Sequence, residues 1–139
     1  MFGSATLDDP AEFLLLLDEA LRSSRGAAAA VARLDGAARC LSYAAVGNIS
    51  GRLLGSGDSQ LVCRDGTLGQ RFRSPKLQTF ELRPQDLLVM HSDGISARFS
   101  VETFPDLHTG QAQSVAAQLL ERFGKMYDDA GCAVVRVKA

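Results

Sequence analysis

The sequence predicts an α+β fold in which antiparallel β-sheets pack against helices. Three observations carry this expectation: helical apolar spacing near the N-terminus, a middle region of short apolar segments divided by turn residues, and a second helical pattern leading into a β-rich end.

The stretch "DDPAEFLLLLDEALRSSRG" has the marks of a helix start. Acids before and within the first turn complement the helix dipole, Pro10 suits the first turn, and Gly26 is a stop. Phe13, Leu14, Leu17, Ala20 and Leu21 fall at helical spacing and are expected to face a core. From Gly26 to about residue 91 the pattern becomes that of a meander, with strands expected near Ala28–Leu34, Cys40–Val46, Gly51–Leu54, Gln60–Cys63, Gln78–Leu82 and Leu87–His91. The turns are "DGAA" at Asp35, "GSGDS" at Gly55 and "RSPK" at Arg73. Alanine favours helix, so "AAAAVA" is ambiguous by propensity. Its position between Arg25-Gly26 and Asp35-Gly36 reads as a strand. "GQAQSVAAQLLERFGKMY" predicts a second helix with Val115, Leu119, Leu120 and Phe123 on one side and Gly124 near its end, and "CAVVRVKA" predicts a terminal strand. No repeat or low-complexity linker interrupts the pattern, so residues 1–139 read as a single domain.

Composition narrows the function. With 46% hydrophobic and 22% charged residues the chain is expected to be soluble and globular, and its formal net charge of -1 provides no field for nucleic acid or an anionic membrane. The longest apolar run near the N-terminus, Phe13 to Leu17, falls far short of the roughly 20 residues a bilayer needs. It also follows acids where a secretory signal carries positive charge. Cys40, Cys63 and Cys132 form no C-x-x-C pair, which fits a reducing cytoplasm.

The stretch "LLVMHSDGI" is the most informative. A buried strand ends at Asp93-Gly94, which reads either as ordinary turn chemistry or as a metal-binding carboxylate at a strand end. Asp128 and Asp129 precede the terminal strand. If the two strands are antiparallel neighbours, the acids meet at one sheet edge; the alternative is a solvated turn. Oxygen ligands suit magnesium or manganese, so His91, on the same strand face as Asp93, reads as structural rather than ligating. Asn48 after Gly47 reads as a turn residue. Arg71 and Arg73 flank Phe72 on a loop that is either simply solvated or meets a phosphoprotein.

"LLVMHSDGISARF" and "DDAGCAVVRV" resemble the last two motifs of the PPM-type metal-dependent protein phosphatases, of the bacterial SpoIIE-like group and closest to its RsbX-type regulators. "RGAAAAVARL", "SYAAVGNISGRLL", "DGTLGQ", "MHSDGIS" and "YDDAGCAVVRV" keep the family order over about residues 11 to 138. The resemblance implies an αββα sandwich and a centre of two Mn2+ or Mg2+ ions that activates water against a phosphoserine or phosphothreonine. Asp93 and Asp128 would be catalytic metal ligands, with Asp129, Gly94, Asn48 and Ser92 beside the metals or the substrate. The implied partner is a phosphorylated bacterial regulator such as an anti-sigma-factor antagonist. The family's first metal motif, Asp-Gly-x-Gly, is not found: "DGTLG" at Asp65 and "LDGA" at Asp35 occupy other places in the order. Two smaller departures are Ala28, where relatives often have threonine, and the residues after the aspartate pair. The resemblance therefore implies either an incomplete phosphatase domain or a catalytically inactive relative that binds a partner in the same pathway. An incomplete sheet would leave an edge open to homo-oligomer formation.

Overall fold

Asp9 caps the first helix, its Oδ1 accepting the backbone N–H groups of Ala11 at 2.8 Å and Glu12 at 3.4 Å. The structure, a computed structural model, describes residues 9–55, 57–126 and 129–138. In chain order the elements are α1 (Pro10–Leu21), β1 (Ala29–Asp35), β2 (Cys40–Val46), β3 (Ile49–Leu54), β4 (Asp58–Leu61), β5 (Gln78–Glu81), β6 (Leu87–Ser92), α2 (Asp106–Thr109), α3 (Ala112–Phe123) and β7 (Cys132–Arg136). This is the expected α+β arrangement. The chain divides into two compact units, one holding residues up to 49 with 62–82, the other 50–61 with residues from 83 onward.

In the first unit the sheet order is β1-β2-β5, with both pairs antiparallel. The poly-alanine stretch forms a strand, as its position indicates, because small side chains let β1 pair along all of β2 from Ala29↔Val46 to Asp35↔Cys40. Asp35 Oδ1 closes the hairpin by accepting the N–H groups of Ala37 and Ala38, both at 3.0 Å. Helix α1 covers one face of this sheet: Leu14 is fully buried with Ala44, Val46 and Leu68. Ala20, expected in the core, is exposed, and Asp18 is buried instead at 8% exposure. The physical reason lies far away in sequence. Asp18 Oδ1 accepts the backbone N–H of Gly69 at 2.6 Å, and Oδ2 is 3.5 Å from the exposed guanidinium of Arg22.

Strand β4 was expected at Gln60–Cys63 and lies at Asp58–Leu61. Its pairing stops because the Gln78 side chain takes over the backbone of Val62, its amide donating to the carbonyl at 3.0 Å and accepting from the N–H at 2.8 Å. Central strand β2 is buried on both faces, with Leu41 and Tyr43 on one and Ala44 and Val46 on the other.

In the second unit the order is β4-β3-β6-β7, and the β3–β4 and β6–β7 pairs are antiparallel. Val115 and Leu119 of α3 are buried in one cluster with Leu54, Leu87 and Val89. Leu120, expected on that side, is 44% exposed. Helix α3 stops at Phe123, with Gly124 as its last cap. The short α2 was not anticipated. Its last carbonyls are gathered by Arg136, which donates to Asp106, His108 and Gly110 at 2.7–3.3 Å.

Replacing Asp18 with alanine should lower stability by about 1–3 kcal/mol in denaturant titrations, because the Gly69 N–H loses its acceptor. Tyr43→Phe should act in the opposite sense. The buried Tyr43 hydroxyl has no hydrogen-bond partner among the described residues. Desolvation, with the Cys63 thiol adding to it, pushes its pKa up to about 12 from 10.0. The folded state therefore resists ionisation, and stability present below pH 10 is lost as pH rises towards 12. Thermal melts across that range should show Tyr43→Phe as stable as the parent or more so at neutral pH, with a shallower alkaline loss.

Candidate functional site

Strand β6 carries Leu87, Leu88 and Val89 through the core and reaches the surface at Ser92. Its register with β7 ends at His91↔Cys132. One step further, the Ser92 N–H donates to the Gly131 carbonyl and the Gly131 N–H donates to Ser92 Oγ, both at 3.0 Å. Strands β6 and β7 are thus antiparallel neighbours, and the end of one and the start of the other share an edge.

Asp93 and Gly94 turn the chain there. The Ile95 N–H closes the turn on the Ser92 carbonyl at 3.2 Å, and the Lys125 N–H donates to the Gly94 carbonyl at 2.7 Å. The Ser96 N–H reaches the Phe123 carbonyl at 2.7 Å. On the other side Gly94 lies against residue 129: a Cβ at this position would collide with the Asp129 carbonyl oxygen. Glycine is required here by this close backbone approach. Gly94 is buried while Asp93 and Asp129 are exposed, so a fixed backbone presents carboxylates at the edge. Asp128, expected to complete the pair with Asp93, lies outside the described residues.

Behind the turn, His91 is 3% exposed. Its Nδ1 is 2.9 Å from the Ser92 carbonyl, which it reaches as a donor in the neutral tautomer, and its ring meets Phe99 edge-on at 5.5 Å. Burial lowers its pKa; the Ser92 contact opposes this, and the charges of Arg52 and Lys125 add to it. A neutral, enclosed ring fits the structural role expected for it. Arg52 escaped the sequence reading. It is buried in β3, donates to the Phe99 carbonyl at 2.7 Å, pairs with Asp58 through Nε at 3.1 Å, and lies 4.2 Å over the Phe99 ring. The available signal was an arginine between Gly51 and Leu53 in an otherwise apolar strand.

Asn48 belongs to the other unit. It is exposed in the β2–β3 turn and lines a depression of about 540 Å³ with Gly26, Ala28, Gly47, Asp65 and Thr67. The Gly47 N–H donates to the Arg64 carbonyl at 2.9 Å, and Gly47 approaches Ala28 too closely for a side chain. The two remaining Asp-Gly segments serve as turns of this unit: Asp35 closes the β1–β2 hairpin, and the Asp65 carbonyl accepts the Arg73 N–H at 2.9 Å.

The exposed carboxylates at residues 93 and 129 provide oxygen donors of the kind hard divalent cations take. Among the described residues, no three histidine, cysteine, aspartate or glutamate side chains gather as a metal-holding group. The donor chemistry fits magnesium or manganese, with Asp93 the described ligand candidate.

A family model described as stage II sporulation protein E (SpoIIE) matches residues 4–138. Among solved structures, the chain resembles one described as "The bacterial stressosome: a modular system that has been adapted to control secondary messenger signaling", with TM-score 0.78 and 26% identity over 91% of this chain and 66% of that one. It also resembles RsbX in complex with magnesium (TM-score 0.71, 18% identity, 89% of this chain and 61% of that one). A third likeness is to the phosphatase domain of the cell fate determinant SpoIIE from Bacillus subtilis (TM-score 0.64, 18% identity, 100% and 74%). The last two likenesses are of fold. The chain spans less than two thirds of the length of the first two. No curated protein sequence matches it.

Gly94→Ala should break the backbone approach at this edge. An added methyl group against a fixed carbonyl is expected to cost about 1–3 kcal/mol, and amide chemical shifts should move at both residues 92–96 and 129–131. Shifts confined to the first segment would contradict the packing described.

Proposed function

This chain belongs to the SpoIIE family, and we propose that it forms part of a metal-dependent protein phosphatase domain of the SpoIIE/RsbX type. Its substrate is a phosphoserine or phosphothreonine on a bacterial regulatory protein of a sigma-factor pathway, such as an anti-sigma-factor antagonist, and its place is the cytoplasm. The observation that supports this reading best is the Asp93-Gly94 turn, held between the end of α3 and the backbone at residue 129. No helix among the described residues is long and apolar enough to cross a membrane.

In this reading Asp93 and Asp128 hold Mn2+ or Mg2+. Bound metal would supply a water of lowered pKa and charge stabilisation for the phosphoryl oxygens. The chain's own contribution is placement. The Ser92–Gly131 bonds and the Gly94 contact fix the Asp93 backbone, so its carboxylate loses little freedom when it takes up a ligand. His91 and Phe99 close the space behind the turn with neutral rings. In this reading Asp129 and Ser92 lie beside the metals or the substrate, and Asn48 belongs to the first unit.

A second reading is a catalytically inactive module that binds a partner in the same pathway. It is favoured by the use of the Asp35 and Asp65 segments as turns of the first unit.

The test compares the 139-residue chain with the same chain extended N-terminally by a relative's Asp-Gly-x-Gly segment, assayed for manganese-dependent phosphate release from a phosphoserine protein. The chain alone should be nearly inert. The extended chain should be faster by about two orders of magnitude or more, and Asp93→Asn should abolish the gain. Turnover indifferent to Asp93→Asn overturns the assignment, and an extended chain that binds the phosphoprotein without turnover favours the second reading.

A further inference from the structure

The segment between β4 and β5 is built more firmly than its sequence suggests. Gln78 staples its base through two hydrogen bonds to Val62. Within it the Thr67 N–H donates to the Arg71 carbonyl at 2.6 Å, the Arg73 N–H donates to the Asp65 carbonyl at 2.9 Å, and Gly66 and Phe72 form an antiparallel bridge. The hairpin is seated from below. Leu68 is fully buried and exchanges backbone hydrogen bonds with Ala27 at 2.9 and 3.1 Å, and Asp18 holds the Gly69 N–H.

On this platform the charge is one-sided. Residues 64–76 carry Arg64, Arg71, Arg73 and Lys76 against one carboxylate, Asp65, in a chain of formal net charge -1. Arg71, Arg73 and Lys76 are exposed, and among the described residues none of their side chains enters a hydrogen bond or ion pair. Arg64 Nε is buried and likewise without a partner. Phe72, between the two arginines in sequence, is half-buried and packs against the core cluster of Leu14, Ala44, Val46 and Leu68. The depression containing Asn48, Asp65 and Thr67 borders the hairpin.

We infer that the hairpin at residues 64–76 is the docking surface for an acidic, phosphorylated segment of a partner protein, gripped by Arg71 and Arg73 on either side of Phe72. This rests on the phosphoprotein reading given above. Arginine offers a planar fork that matches carboxylate and phosphate oxygens, and a pre-ordered backbone reduces the ordering cost of binding. Side chains without internal partners are recruited without first breaking an ion pair. A nucleic acid is the weaker fit: the chain is net acidic, and the hairpin offers a single aromatic, Phe72, for stacking.

The test uses fluorescence anisotropy with the full chain and a labelled peptide carrying one phosphoserine among glutamates. Arg71→Glu with Arg73→Glu should weaken binding about tenfold or more without changing the melting temperature, whereas Arg83→Glu, an exposed arginine of the other unit, should alter it less than about twofold. Binding should weaken as salt rises. Peptide binding should persist in EDTA, where no metal is held, so failed catalysis leaves this result untouched, while loss of docking alone leaves turnover of a small aryl phosphate by the N-terminally extended chain unchanged. The inference is overturned if the parent does not bind the peptide, if the double charge reversal binds like the parent, or if an oligothymidylate competes as well as the phosphopeptide.

Discussion

The carbonyl oxygen of Asp129 sits where a side chain on residue 94 would have to be, and the carboxylate edge of the second unit is organised around that exclusion. Strand pairing alone fixes β6 and β7 only as far as His91↔Cys132. Beyond it the ladder continues through one backbone bond and the Ser92 hydroxyl. The Gly94 approach adds a backbone contact with residue 129 to the bonds that tie Gly94 to Lys125 and Ser96 to Phe123. With it, the turn is gripped on both sides, and the positions next to Asp93 and Asp128 in sequence are brought into contact through backbone atoms.

The support behind this edge has a different character from the edge itself. Arg52 is a buried cation whose charge is met by Asp58, two backbone carbonyls and the face of Phe99. A buried charge with that many partners is costly to assemble and costly to disturb, which suits a fixed element better than a moving one. Its field and the loss of water keep His91 from protonating easily. Charge is therefore concentrated at the exposed carboxylates in front, while the layer behind them is neutral or internally compensated.

Much of this was legible in the sequence, and the failures share one cause. Strand β2 matches its expected bounds, Cys40–Val46, because Asp35-Gly36 and Gly47 punctuate it locally. The Asp93-Gly94 turn and the strand after Asp129 were equally plain, being local patterns of apolar residues and turn chemistry. Strand β4 was misplaced because Val62 and Cys63 look like strand residues, while the group that ends the pairing is the side chain of Gln78, sixteen positions later. Asp18 was passed over for Ala20 because its acceptor role depends on Gly69, and α2 was missed because four residues show no periodicity and its carbonyls are satisfied by Arg136. The Ser92 hydroxyl accepts from Gly131, a pairing no spacing rule suggests. Local signals were read, and long-range hydrogen bonds from single side chains were not.

Both units use the same device at their loops. Gly69 has φ +87 and rests against the Leu21 carbonyl, as Gly94 rests against Asp129, so each loop is locked by backbone contact rather than by the side chains it displays. This separates two properties that usually compromise one another. A loop held by its side chains cannot change them without losing its shape, whereas the hairpin at residues 64–76 leaves Arg71 and Arg73 outside the contacts that fix its main chain. Chemistry at the surface can then be altered one residue at a time on an unchanged backbone, which is what a family fold needs if relatives at 18–26% identity are to keep the same architecture.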